Sequence, residues 1–404
     1  MTAAKPPTRS EVIIALGLTV VFLFAIILLT AALDGVRRSD FVGYYTGGLI
    51  IRSGNASNLY DLREQARIQR QLFHRSNLLL DNHPPFEALC FAALARLEYV
   101  KAYILWGAIN ILLWLFFQHL LRRHTQIPRN SYRYFLLCSL FVPLCIALMQ
   151  GQTSVLLLLL FSLSFVCLKR GQDFRAGVFL GLSLLKFPIV LPFALICFLR
   201  SKWRMMAGFA VAASLLALLS VIAVGMAGVR SYVNLLIDMV RNPENPAYWS
   251  IMVWKMPTVR GFFAALLTGR VAAGHISILA EAVSTLLILF AAWRWRQEDR
   301  DQGGNSLGLM FAAALAVSLV AAQHLYMHDL TLLLLAVLLV VGSPRWSQKS
   351  RQRAVLTSIM VILYCPPVYA VLLRWQEVYI LAPVLVVFAL AAISLARRAD
   401  IPLT

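Results

Sequence analysis

Residues 307–342 read LGLMFAAALAVSLVAAQHLYMHDLTLLLLAVLLVVG. Two runs without a single charge flank a turn that carries Gln323, His324, His328 and Asp329. A helix that is apolar on every side belongs inside a membrane or a very large core. The reading is therefore two membrane helices that meet at one membrane face in a polar turn.

The same pattern extends through the whole chain. Of its 404 residues 60% are hydrophobic and only 14% charged. Many stretches approach the roughly 20 apolar residues that cross a bilayer. Backbone N–H and C=O groups in lipid have no water to bond, so such stretches must be helical. The fold class is all-α, a polytopic integral membrane protein with about ten crossings plus re-entrant or short helices. Residues 12–33 are too long for a signal-peptide core and lack a small-residue cleavage site, so they read as a retained helix.

The net charge is +19. In a soluble protein that would suggest nucleic acid. Here the basic residues fall in short loops between apolar runs, the positive-inside pattern, so no nucleic-acid partner is expected. Cys90, Cys138, Cys145, Cys167, Cys197 and Cys365 show no paired spacing and lie mostly within apolar runs. They read as small core residues rather than disulfides or metal ligands.

Lys5 and Arg9 place the N-terminus inside. Arg122, Arg123, Arg129 and Arg133 mark the next inner loop. Three further inner loops hold Lys169, Arg170 and Arg175, then Arg200, Lys202 and Arg204, then Arg294, Arg296 and Arg300. Arg345, Lys349, Arg351 and Arg353 mark the last. The short outer turns carry only Arg374. Residues 176–199 have basic flanks on both sides and are interrupted by Lys186 and Pro188, which predicts a hairpin that enters the membrane and returns. The chain then forms one transmembrane domain over 1–404, with a first external loop at 34–85 containing short helices and a second at 228–274. Asp40, His83, Gln152, His324, His328 and Asp329 all emerge on the face away from the cytoplasm. The two halves show no clear inverted repeat, which weakens a transporter reading.

Asp40 follows the first helix within Ser39-Asp40-Phe41. A carboxylate at a membrane edge can act as a general base; the plainer role is a helix cap beside Ser39. Lys186 is the one Lys or Arg left inside a membrane segment, which makes it a functional candidate, against simple snorkelling to the interface. His83 precedes Pro84-Pro85, a rigid helix entry. His324 and His328 stand four apart and could share a helix face, but no H-E-x-x-H motif is present, and no metal is expected. Hydrogen bonding to a phosphate or sugar suits them better. The second external stretch offers Tyr248, Trp249, Trp254, Lys255, Arg260, Phe262 and Phe263. These are interfacial anchors, or a stacking surface for a sugar with Arg260 for a phosphate. No P-loop, GxGxxG, GxSxG or CxxC element exists, so no cofactor is expected.

In this order the residues resemble glycosyltransferase family 87, a group of GT-C fold membrane enzymes that includes mycobacterial mannosyltransferases. The matching pieces are Asp40-Phe41 with Tyr44-Tyr45, Gly54, Leu59-Tyr60-Asp61, His83-Pro84-Pro85-Phe86, Gly151-Gln152, Ala176-Gly177 with Lys186 and Pro188, and the run from His324 to Leu330. The chain departs at Thr153, where Asn is common, and lacks a Ser-Pro pair before His324. The resemblance implies a GT-C fold and a polyprenyl-phosphate donor carrying a hexose such as mannose. It implies inverting transfer to a hydroxyl of a lipid or glycan acceptor, at the extracytoplasmic side of a bacterial inner membrane. Asp40 would be the catalytic base, and Lys186, His324 and His328 would contact the donor phosphate. Gln152, Asp329, His83, Arg260 and Tyr44 complete the expected substrate-binding set. A transporter or flippase of lipid-linked intermediates is the competing reading. It would use Lys186 as a headgroup ligand and need no base.

Overall fold

A computed structural model describes residues 9–33, 35–74, 77–125, 132–242, 245–248, 251–301, 306–347 and 350–397. Among them every regular element is helical, as an all-α integral membrane protein requires. Among the described residues six helical runs are long and apolar enough to cross a membrane, among them Tyr99–Arg122, Trp203–Arg241 and Ala273–Asp299. Shorter apolar helices include Ser154–Lys169 and Leu307–Val320.

Two of the ten expected crossings are broken. The run at 134–149 divides into Tyr132–Ser139 and Val142–Gln150, with Pro143 at the start of the second helix. Residues 354–373 divide into Arg351–Tyr364 and Pro366–Trp375, bent by 65°. Pro366 and Pro367 supply no backbone N–H, and their rings exclude the preceding carbonyls from a continuous helix. The helix Trp203–Arg241 kinks at Gly225 (φ 69°) and continues to Arg241, so the first part of 228–274 is helical.

Length sorts the helices into layers. Leu307–Val320 and Leu333–Val341 are buried almost throughout, as their uniform apolarity demands. The long helices expose one apolar stripe, with Leu18, Leu112, Ile222 and Leu286 each about two-thirds exposed. Those stripes are the lipid-facing surface. Ser154–Lys169 has 16 residues, about 24 Å at 1.5 Å per residue, against a hydrocarbon thickness of roughly 30 Å. At one end of the bundle the side chains of Asp40 and His83 stay 33% and 20% exposed, and that polar, partly open end is the recess.

Packing decides the path of residues 173–199. By length and composition they would make one 27-residue span. The glycines rule that out. A Cβ on Gly177 would lie 1.8 Å from the Met205 carbonyl oxygen, and one on Gly208 would lie 2.0 Å from that of Phe174. One Cβ on Gly181 would meet Phe209 and Ala212. Rising residue numbers match rising ones, so Asp173–Leu182 and the start of Trp203–Arg241 lie side by side and parallel. The intervening chain must go up and come back. The turn is the short helix Ser183–Lys186, and Lys186 leaves helical geometry at φ −121°, ψ 58°. Phe187–Leu199 then descends to Arg200, whose Nη2 meets Asp299 Oδ2 at 2.6 Å at the far end of Ala273–Asp301. The hairpin expected from the basic flanks is present, with Lys186 at its apex.

This packing carries a test. Gly177→Leu places a side chain where two backbones touch, and backbone cannot yield as a side-chain tip does. Overpacking of this kind costs about 3 kcal/mol. Thermal unfolding in detergent should show a Tm several degrees below that of the parent protein. An unchanged Tm would refute the parallel pairing.

Around the recess, the helix Leu62–Phe73 is capped by Asp61, whose carboxylate accepts from the Arg63 N–H at 2.8 Å. Its buried Gln65 and Gln69 hold the following loop by its backbone. Gln65 accepts from the Asp81 N–H at 2.9 Å and donates to the Leu59 and Asp81 carbonyls. Gln69 exchanges two bonds with Leu79. These amides replace ladder bonds the loop does not have, and they fix the segment that presents Asp81 and His83.

Candidate active site

Asp40 occupies the N-cap position of the helix Phe41–Arg52, yet its carboxylate makes no capping bond. The capping role weighed from the sequence is therefore not the one it takes. Its N–H donates to Gln150 Oε1 at 2.9 Å, and its Oδ2 accepts from Gln152 Nε2 at 2.7 Å. Both glutamines belong to the tight turn after Val142–Gln150, where Gly151 sits at φ 63°. A Cβ on Gly151 would meet that of Phe41 at 2.8 Å, so only glycine lets this turn close against the residue after Asp40. Trp106 Nε1 donates to the Gly151 carbonyl at 2.9 Å, which anchors the turn from behind.

From Asp40 a ring of five polar side chains closes on itself. His328 Nδ1 lies 3.7 Å from Asp40 Oδ2, and His328 Nε2 lies 3.4 Å from Asp329 Oδ2. Asp329 Oδ1 is 3.5 Å from Lys186 Nζ. Lys186 Nζ donates to Gln152 Oε1 at 3.0 Å, and Gln152 returns to Asp40. The Tyr44 hydroxyl donates to the same Gln152 oxygen at 2.7 Å, and Ser154 Oγ donates to Asp329 Oδ1 at 3.1 Å. The Tyr326 N–H also donates to Asp329 Oδ2. The members come from four distant segments. Within the ring, the side chains of Lys186, His328 and Asp329 are 12%, 7% and 2% exposed, while that of Asp40 is 33% exposed. Asp40 is thus the member that opens outward.

A second layer surrounds the ring. His83 Nδ1 is 2.9 Å from Asp81 Oδ1. The His83 ring stacks on Tyr44 with centroids 4.3 Å apart, and Tyr44 stacks on Phe91 at 4.6 Å. His324 packs edge-on against Tyr326. Burial, reinforced by the Lys186 charge, pushes its imidazole down to about 3, so it is neutral at physiological pH and offers a hydrogen bond rather than a charge. His324 and His328 do not share a helix face. The helical turn begins only at Met327, because the backbone at Tyr326 is extended there. Arg260 Nη1 donates to the Gln323 carbonyl at 3.3 Å, and the Met252 N–H donates to the Tyr326 hydroxyl at 3.0 Å. These two bonds hold the second loop against the turn at 323–326, so Arg260 stands at the rim, one layer from the ring. Trp254 and Lys255 lie on the adjoining short helix Val253–Lys255. Trp249 lies outside the described residues. No cluster of three or more His, Cys, Asp or Glu with metal-holding geometry occurs among the described residues.

Sequence reasoning did not single out Ser154, and it met Tyr326 only within the run from His324 to Leu330. Ser154 and Tyr326 tie Asp329 in place. Glu87 is 5% exposed, and its carboxyl lies beside the Thr153 hydroxyl. A buried carboxyl in the short apolar helix Pro85–Leu94 was the signal available for Glu87. Nothing local marked Ser154.

The arrangement pairs the partly exposed Asp40 carboxylate with the buried Lys186 ammonium and the His328 imidazole behind it. It can accept a proton from a group arriving in the recess and meet negative charge that develops nearby. A protein-family model, glycosyltransferase family 87, matches residues 82–322. That range contains His83, Gln152, Lys186 and Arg260, and leaves Asp40 and the turn at 324–329 on either side. No curated protein and no solved structure matches the chain.

Proposed function

Because the chain belongs to glycosyltransferase family 87 and is therefore a membrane glycosyltransferase, we propose that it moves a sugar from a polyprenyl-phosphate donor to a hydroxyl acceptor. The transfer is a single inverting displacement on the outer face of the plasma membrane, here a bacterial inner membrane. The acceptor is a lipid or glycan, and the sugar is a hexose such as mannose. Family membership favours this over a transporter or flippase, which would need no base.

The observation that carries the proposal is the exposure pattern of the ring, with Asp40 open and Lys186 behind it. The acceptor O–H approaches Asp40. Its oxygen attacks the sugar C1 as Asp40 takes the proton, and the bond from C1 to the phosphate oxygen breaks on the opposite face. The electron pair leaves with the polyprenyl phosphate. A phosphate leaving group gains charge as it departs, so cationic donors must stand where that charge grows. Lys186 is the fixed cation of the ring, and His328 and neutral His324 supply N–H donors. Gln152, Asp329 and Tyr44 hold these groups, and His83 and Arg260 border the recess where sugar and phosphate would lie.

Membrane side and donor class support each other. The clustering of basic residues in alternate loops supports a recess on the outer face, and nucleotide sugars are cytoplasmic, which favours a donor carried on a lipid. A polar site at the ends of apolar helices suits a phosphate at headgroup depth with its prenyl chain among the helices. The test is transfer by the purified protein in proteoliposomes with two labelled donors. A polyprenyl-phosphate hexose should yield glycosylated acceptor of opposite anomeric configuration, and a nucleotide hexose alone should yield none. Transfer from the nucleotide sugar, or retention of configuration, would overturn the proposal.

A further inference from the structure

Gln152 sits where a direct ion pair would otherwise form. Its Nε2 donates to Asp40 Oδ2, and its Oε1 accepts from both Lys186 Nζ and the Tyr44 hydroxyl. The amide cannot reverse, because its oxygen would then face a carboxylate and its NH₂ would face two donors. It is buried and its turn is pinned by Gly151 and Trp106. Lys186 spends its remaining contact on Asp329 at 3.5 Å. The charged or titratable groups around Asp40 are then His328 directly, Lys186 and Tyr44 through Gln152, Asp329 behind His328, and Tyr326.

We propose that Gln152 is a positioning residue that insulates the base Asp40 from the cation Lys186, rather than a residue that binds substrate. An opposite charge at 4–6 Å lowers a carboxylate's pKa by roughly 1–3 units. A base weakened to that degree takes a proton less readily in the transition state. The neutral amide holds the Asp40 carboxylate by one hydrogen bond and at the same time holds the ammonium away from it. It thereby keeps the carboxylate open to an acceptor and the ammonium available for phosphate. The glutamine length matters: it bridges the two groups across the recess floor and bonds both at once.

This inference rests on Asp40 being the base, so the experiment must separate the two claims. Two substitutions at Gln152 have opposite expected signs. Gln152→Met removes the bridge at similar volume and lets Lys186 approach Asp40. The approaching ammonium outweighs the lost Gln152 hydrogen bond, which by itself would raise the limb, so the acid limb of the kcat/KM profile should move to lower pH by about one unit, and kcat should fall more than ten-fold while KM for the donor changes little. Gln152→Glu keeps the shape but sets a second carboxylate beside Asp40. The acid limb should then move to higher pH, since a like charge opposes ionisation. A purely structural loss would lower activity in both variants without moving the limb in opposite directions. Unmoved limbs in both, or a raised donor KM with unchanged kcat, would overturn the proposal. Asp40→Asn, measured in parallel, keeps the outcomes apart. If it is inactive while the Gln152 limbs stay in place, only the insulating role fails. If it is active, the base assignment itself fails.

Discussion

Replacing Asp40 with asparagine should give an intact protein that binds donor lipid and transfers almost no sugar. Asparagine matches the size of aspartate, and its Oδ1 can still accept from Gln152 Nε2, so the ring keeps its geometry. What is lost is a proton acceptor in the transition state, typically worth a hundred-fold or more in rate. Other carboxylates near the recess are poorly placed to substitute. Asp61 caps a helix and Glu64 is paired with Arg67 at 2.6 Å. Asp81 is held by His83 and is 3% exposed, and Glu87 is 5% exposed. Asp329 is bound by Ser154, Lys186, His328 and the Tyr326 N–H. Donor binding measured by labelled-lipid retention, beside the turnover rate, separates the two effects. Turnover within a few-fold of the parent protein would transfer the role to another residue.

Lys186→Met should be the most damaging single change in the ring for stability as well as for activity. Asp329 is 2% exposed, and Lys186 is its ammonium partner. Removing one member of a buried pair leaves an uncompensated charge and costs about 3–5 kcal/mol. The protein should unfold at lower temperature and show no measurable transfer. Loss of folding alone would explain both, so the paired variant Lys186→Met with Asp329→Asn is the decisive comparison. Neutralising Asp329 removes the orphaned charge, and much of the lost Tm should return. Transfer should not, because the cation that meets the leaving phosphate is still absent. A double variant that regained both would make Lys186 a structural partner of Asp329 and nothing more.

Part of this molecule is written in local patterns. Uniformly apolar runs such as 307–320 and 333–341 demand helices in an apolar medium, and the clustering of Lys and Arg in alternate loops gives them an expected orientation. Basic residues on both sides of 176–199 marked the hairpin, and isolated polar residues at the ends of apolar runs marked Asp40, Gln152, Lys186, His328 and Asp329 as a set worth watching. These features are legible because each depends on residues within one or two helical turns, where hydropathy and periodicity act directly.

Other features depend on tertiary contact. The sequence allows Asp40 to be a helix cap; the structure turns its carboxylate to Gln152, 112 positions away. Four-residue spacing allows His324 and His328 one helix face; the extended backbone at Tyr326 separates them, and His328 alone enters the ring. Length allows 173–199 a single span; the contact of Gly177 and Gly208 with the neighbouring backbone bends it into a hairpin and lifts Lys186 to its apex. Glu87 and Ser154 acquire meaning only beside Thr153 and Asp329. The sequence by itself determined which segments are helices and which polar residues lie at their ends, since hydration and backbone hydrogen bonding are settled locally. Only the tertiary structure decided which of those residues touch, because the relative heights and directions of helices follow from close packing between segments distant in the chain, the ring's own hydrogen bonds joining residues 34 to 175 positions apart.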